Sequence, residues 1–169
     1  NNKDCWVPVA RFIDQRYENY LRKEDGDRLV SGDDLRVHAC LYFISPNGHT
    51  LKSLDIEAMK QISSRVNLIP VIGKSDCISK SDLYAFKQRI RDCLAYHNIQ
   101  VYSPLIESDD EDNIARNQSI LDAMPYAVVG GNSMIEHNGS VTPIRQYPWG
   151  NVILEDEEHC DFKKLRNLL

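Results

Sequence analysis

A chain of 169 residues with 42% hydrophobic content is one domain or most of one, with enough apolar material for a real core. Its formal charge of -5 gives no support to nucleic acid as a partner, and no apolar stretch is long enough to cross a bilayer. Five scattered cysteines and five scattered histidines, without a Cys-x-x-Cys or His-Glu-x-x-His pattern, argue against a disulfide framework, a metal site and a zinc hydrolase. Free thiols fit a reducing compartment, and Asn1-Asn2-Lys3-Asp4 lacks the apolar run of a secretory signal.

Apolar residues at Val9, Phe12, Ile13, Tyr17, Tyr20 and Leu21 follow helical spacing and predict a helix with one face buried. A polar loop with Gly26 and Gly32 comes next. Arg36-Val-His-Ala-Cys-Leu-Tyr-Phe-Ile44 then reads as a strand covered on both faces, as in parallel α/β sheets. Ser45-Pro46-Asn47-Gly48 breaks it. A helix is expected over 52–65, with Leu54, Ala58, Met59, Ile62 and Val66 on one side, and a buried strand over 67–72.

Ser79-x-x-Asp82 is close to a capping box and opens a helix with the stripe Leu83, Phe86, Ile90, Cys93 and Leu94. A short strand is expected over 98–102, then a mobile acidic loop spanning Glu107 to Asp112. A helix near 113–123 and a strand over 126–129 follow. Alternating strands and helices predict an α/β fold, a mostly parallel sheet flanked by helices. The tail differs. Met134 to His137, Asn138-Gly139 and Ser140 to Tyr147 form a hairpin signal, and a terminal helix begins near Asp161 with Phe162, Leu165 and Leu169 on one face.

Gly73-Lys74-Ser75 tempts a P-loop assignment, which requires a glycine five residues earlier so that backbone amides can wrap phosphates. Position 68 is Leu and 67–72 reads as strand, so the wrap has no room. No Asp-x-x-Gly switch element occurs in the chain. The same residues fit a different role. Lys74-Ser75-Asp76 after a buried strand matches the Lys-x-Asp part of a guanine-recognition motif. A carboxylate can accept from both N1–H and the exocyclic amine of guanine, a donor pair that adenine lacks on that edge. The carboxyl end of a strand is where open α/β sheets place ligands. By spacing alone, Lys-x-Asp is weak evidence and reads more readily as a solvated loop after a strand.

Longer strings supply context. Ser45-Pro-Asn-Gly-His-Thr-Leu-Lys-Ser-Leu-Asp55, Asn67-Leu-Ile-Pro-Val-Ile-Gly-Lys-Ser-Asp76, Ala127-Val-Val-Gly130 and Arg145-Gln-Tyr-Pro-Trp-Gly150 occur in order. Together they closely resemble the septins, filament-forming GTPases of fungi and animals, over nearly the whole chain. The resemblance implies a P-loop GTPase-like sheet with a C-terminal septin-specific β-hairpin element, divided as 1–131 (the C-terminal portion of a GTPase domain) and 132–169.

It also implies roles. Lys74 and Asp76 would contact guanine, Gly130 would place its backbone near the base, and Arg145 would stack on it. Trp149 would join an interface formed across the nucleotide pockets of two subunits. His49 would reach toward that interface, and Asp82 matches an acidic position in a loop reaching across it. Local alternatives stand beside each: Trp149 as a core aromatic on the hairpin, His49 as a turn residue, Asp82 as a helix cap, Arg145 as a strand arginine facing water. The chain departs from the family pattern at Gly73 and Ser75, where alanines are common, and at Gly131, where serine is usual. It also lacks the additional arginine common before Arg145.

The resemblance further places the P-loop, switch I and the Asp-x-x-Gly element before Asn1, and the final helix and any coiled coil after Leu169. No catalytic residue is therefore expected in this segment, which alone should be inactive. GTP or GDP is the expected cofactor, with Mg²⁺ needing the preceding segment. A sheet without its first strands is expected to expose apolar surface. Two readings follow: a slow GTPase whose nucleotide supports subunit interfaces in a hetero-oligomeric filament, or a structural subunit that binds GTP without hydrolysis or lacks nucleotide. Partners would be other septin subunits, and membrane association would use segments outside this chain. The setting implied is cytoplasmic and cytoskeletal, at the cell cortex or division site, with cytokinesis and cortical scaffolding as roles; a fungal source is a mild expectation.

Overall fold

The computed structural model describes residues 4–25, 34–104, 111–137 and 139–169. The Gly26/Gly32 loop, positions 107–110 of the acidic run and Asn138 of the hairpin turn lie outside the described residues.

Three strands form a parallel sheet in the order β1-β2-β3: β1 (Ala39–Ile44), β2 (Asn67–Ile72) and β3 (Tyr126–Ala127). Ala39 pairs with Asn67 and Ile44 with Ile72, while Val71 and Ile72 pair with Tyr126 and Ala127. β2 is central, and every residue after Asn67 is buried. Side chains alternate across a strand. Leu68 and Ile72 accordingly join a core with Ile13, Met59, Ile62, Phe86 and Ile90 on one face, and Ile69 and Val71 join Met124, Tyr126 and Leu165 on the other. The first core is supplied by α1 (Val7–Asp25), α2 (Ser53–Ser63) and α3 (Lys80–Tyr96), the second by α4 (Glu111–Ala123) and α5 (Phe162–Leu168). Helices on both faces match the architecture expected.

Three expectations need correction. β1 is covered on both faces only in part: Cys40 and Tyr42 pack on one core and Leu41 on the other, while the strand ends the sheet order and Phe43 is 62% exposed. The face of α1 is narrower than its stripe. Ala10 and Ile13 are buried, whereas Val9, Phe12 and Leu21 are exposed, and the helix is fastened by polar contacts instead. Tyr17 donates to the Val37 carbonyl at 3.1 Å, and Arg65 pairs with Asp14 at 2.9 Å. Residues 98–102 form no strand; one backbone bond, from Tyr102 to the Leu68 carbonyl at 2.8 Å, does not make a ladder.

The tail is an antiparallel sheet of three strands rather than a two-stranded hairpin: β4 (Ser133–His137), β5 (Ser140–Tyr147) and β6 (Gly150–Ile153). Tyr147 pairs with Gly150, so Pro148-Trp149 is a two-residue turn inside the string that carries the family likeness. Gly131 leads into this sheet. A Cβ there would sit 2.7 Å from the Ile144 carbonyl oxygen and 3.2 Å from Leu154, a close backbone approach that requires glycine.

Asp161 ties the tail to the parallel sheet. Its amide donates to the Ala127 carbonyl at 2.7 Å, and its carboxylate accepts from the Ala127 amide at 2.9 Å and from Lys87 at 2.6 Å. Lys87 also donates to the Ala123 carbonyl at 3.0 Å. Burial pulls the Lys87 pKa below its ordinary value despite this pairing.

Candidate functional site

The site begins where β2 ends. Gly73 donates to the Ile44 carbonyl of β1 at 3.2 Å, and Ser75 donates to the Val128 carbonyl just after β3 at 3.1 Å. The loop is therefore stitched to both neighbouring strands. Lys74 turns it with a left-handed φ of 53°, and Ser75–Cys77 completes a single 3₁₀ turn. Ladder pairing runs through Ile72, so no amides are free to wrap a phosphate ahead of Gly73. The P-loop rejection stands on this geometry.

This turn drives Asp76 inward. Its side chain is only 6% exposed. Oδ2 accepts a hydrogen bond from the Tyr147 hydroxyl and lies 3.4 Å from Arg145 Nε. Oδ1 is buried and has no hydrogen-bond partner, and the neighbouring Ser75 Oγ is in the same condition. Burying a carboxylate oxygen without a donor is costly, and such groups in folded proteins call for an explanation. The Arg145 guanidinium carbon lies 5.3 Å from the Tyr147 ring centroid, and the Trp149 ring stacks on Tyr147 at 4.8 Å with an 11° interplanar angle. The hydrogen bond to Asp76 raises the Tyr147 pKa, keeping the phenol a donor.

A cavity of about 720 Å³, lined mostly by apolar side chains, runs along β1 and past the ends of β2 and β3 to α5, and none of Asp76, Arg145, Tyr147 or Trp149 lines it. Lys74 and Gly130 line it, with Gly73, Ser45, Val128 and Phe162. Gly130 is exposed, and a Cβ there would meet nothing within 4 Å. The structure thus places the four residues named for guanine in two groups, Lys74 and Gly130 on the cavity lining, Asp76 and Arg145 in contact with each other off it.

The three residues named for an interface are each held by different local contacts. Trp149 is 82% exposed, so the core-packing alternative is ruled out; its support is the single ring of Tyr147. His49 is exposed on a turn pinned by Arg89 of α3, which donates to the Gly48 carbonyl, and its amide donates to Asn47 Oδ1 at 3.0 Å. Ser79 caps α3, and Asp82 sits in its first turn: Ser79 Oγ donates to the Asp82 carboxylate at 2.6 Å and accepts from its amide at 3.2 Å. That accounts for Asp82 locally.

Tyr147 escaped sequence reasoning. Two residues after Arg145 in a strand, it points to the same face, which is a legible signal. Its partner Asp76 is 71 positions away, and no local pattern links them. Among the described residues no group of three or more His, Cys, Asp or Glu could hold a metal, and no helix is long and apolar enough to cross a membrane.

Comparisons with known proteins agree on one family. The Septin family model matches residues 1–169. The chain is 45% identical over 170 residues to Septin homolog spn4 of Schizosaccharomyces pombe, and 43% identical over 171 residues to human Septin-5. All of this chain aligns in both cases, yet it spans only 45% and 46% of those proteins. Among solved structures, Cdc11 from Saccharomyces cerevisiae superposes with a TM-score of 0.64 at 33% identity, covering 79% of this chain and 59% of that one. The septin GTPase domain from Chlamydomonas reinhardtii gives 0.73 at 22% identity, covering 97% and 60%, a likeness of fold. The fold is a P-loop GTPase-like α/β fold. The chain belongs to the septin family.

Proposed function

We propose that this chain is the guanine-reading and partner-facing part of a septin subunit, with residues 1–131 belonging to the GTPase domain and 132–169 to a septin-specific element. One observation carries the guanine reading. Asp76, held just past the carboxyl end of the central strand and two residues after Lys74, keeps a buried oxygen without a donor. Guanine presents two adjacent donors to a carboxylate, N1–H and the exocyclic amine, one of which would meet the oxygen that has none. Lys74 would lie along the base and Gly130 would meet it through backbone. Arg145, already against the Tyr147 ring, has the planar cation needed to stack on a purine. GTP or GDP would supply the phosphates, which none of the residues assigned here contacts.

The exposed Trp149 and His49 would face a second septin subunit, and bound nucleotide would support that interface in a filament. Asp82 is retained there only as a neighbour, since its carboxylate serves α3. Such a subunit would act in the cytoplasm at a cortical or division-site cytoskeleton, with membrane contact through other segments. Hydrolysis, which needs charge stabilisation around the phosphates, is assigned to none of these residues. In the full-length protein, Asp76→Ala should abolish GDP binding measured by calorimetry; affinity retained within a few-fold would refute the guanine assignment.

A further inference from the structure

A carboxylate that reads guanine uses one oxygen for each donor. In Asp76 neither is open to an incoming base: Oδ2 accepts from the Tyr147 hydroxyl and faces Arg145 Nε at 3.4 Å, while Oδ1 is buried. A base can take Oδ2 only if the side chains on that oxygen withdraw, and those are Tyr147 and Arg145. Both belong to β5, on the rim that leads into the Pro148-Trp149 turn. Tyr147 is also the ring on which Trp149 rests, so movement of one removes the support of the other.

We propose that Tyr147 is a positioning residue that alternates with guanine at the Asp76 carboxylate, and that its ring relays this exchange to Trp149 on the surface. This rests on the guanine reading above. A guanine nucleotide takes Oδ1 and Oδ2, the Tyr147 hydroxyl leaves, Arg145 swings from the carboxylate to the base, and Trp149 shifts with its stacking partner. Base occupancy and the exposure of a partner-facing tryptophan thereby become one event.

The test uses full-length protein in which Trp6 and any other tryptophan except Trp149 are replaced by Phe, so that emission reports Trp149 alone, titrated with GDP. The parent protein should show a nucleotide-dependent change in Trp149 emission. Tyr147→Phe keeps the ring and loses the competing hydroxyl. It should bind GDP more tightly, on the order of tenfold, because the base no longer breaks a hydrogen bond to a charged group. Its Trp149 response should be largely lost. Unchanged or weaker binding by Tyr147→Phe, or a Trp149 signal that never responds or responds alike in both proteins, overturns the proposal. Asp76→Ala separates the levels: if it still binds GDP, the guanine reading fails, whereas if it loses GDP and Tyr147→Phe gains nothing, only the exchange fails.

Discussion

The two sheets of this molecule divide the work in opposite ways. The parallel sheet is built around β2, buried on both faces between two cores, and its loop is held by backbone bonds to strands on either side. The antiparallel sheet buries Thr142, Ile144 and Leu154 while leaving Met134, Val141 and Trp149 largely exposed. The first supplies the fixed acceptor, Asp76. The second carries a guanidinium, a phenol and, in its turn, an indole. On the proposed reading, a fixed acceptor facing side chains that move would suit a site that exchanges ligands.

This contrast can be broken by substitution. Phe86 is fully buried under the parallel sheet, and Phe86→Ala should destabilise the protein by about 3–5 kcal/mol in chemical denaturation. A loss under 1 kcal/mol would mean this core is not what holds β2. Asp161→Ala removes the carboxylate that accepts from both Lys87 and the Ala127 amide, leaving a largely buried ammonium with the Ala123 carbonyl but no counter-charge from Asp161. We expect a cost of about 3 kcal/mol, with the companion Lys87→Met costing less.

Gly131→Ser tests the junction of the two regions. The added Cβ must push the Ile144 backbone, for a cost of roughly 1–3 kcal/mol. A neutral outcome would show that β5 moves freely, which sharpens the contrast in favour of an adjustable second sheet. Ser79→Ala removes the α3 cap and should cost about 1 kcal/mol by thermal denaturation. Trp149→Ala should change stability least, within about 0.5 kcal/mol, because the ring is mostly in solvent. It should nonetheless lower the assembly mass seen by light scattering; an unchanged mass would remove Trp149 from the interface.

The same contrast explains what the sequence made legible. β2 and α3 were readable because burial on a central strand and a capped amphipathic helix both write themselves into local pattern. β1 was read as doubly covered because an apolar run cannot say whether a strand is central or at an edge. β6 was missed because Gly150-Asn-Val-Ile153 is short and its turn, Pro148-Trp149, lacks the Asn-Gly signature that marked the hairpin before it. Asp76 and Arg145 could be named from family strings. Their contact with each other, and the role of Tyr147, arise from packing between segments some seventy residues apart.

The central claim is that Asp76 recognises guanine through its carboxylate. Asp76→Asn replaces one acceptor by a donor, so the side chain then complements N1–H beside a carbonyl, as in xanthine. Calorimetry on the full-length protein should show GDP affinity falling by about a hundredfold or more while xanthosine diphosphate gains affinity. GDP binding left intact in Asp76→Asn, with no gain for xanthosine diphosphate, would contradict the account.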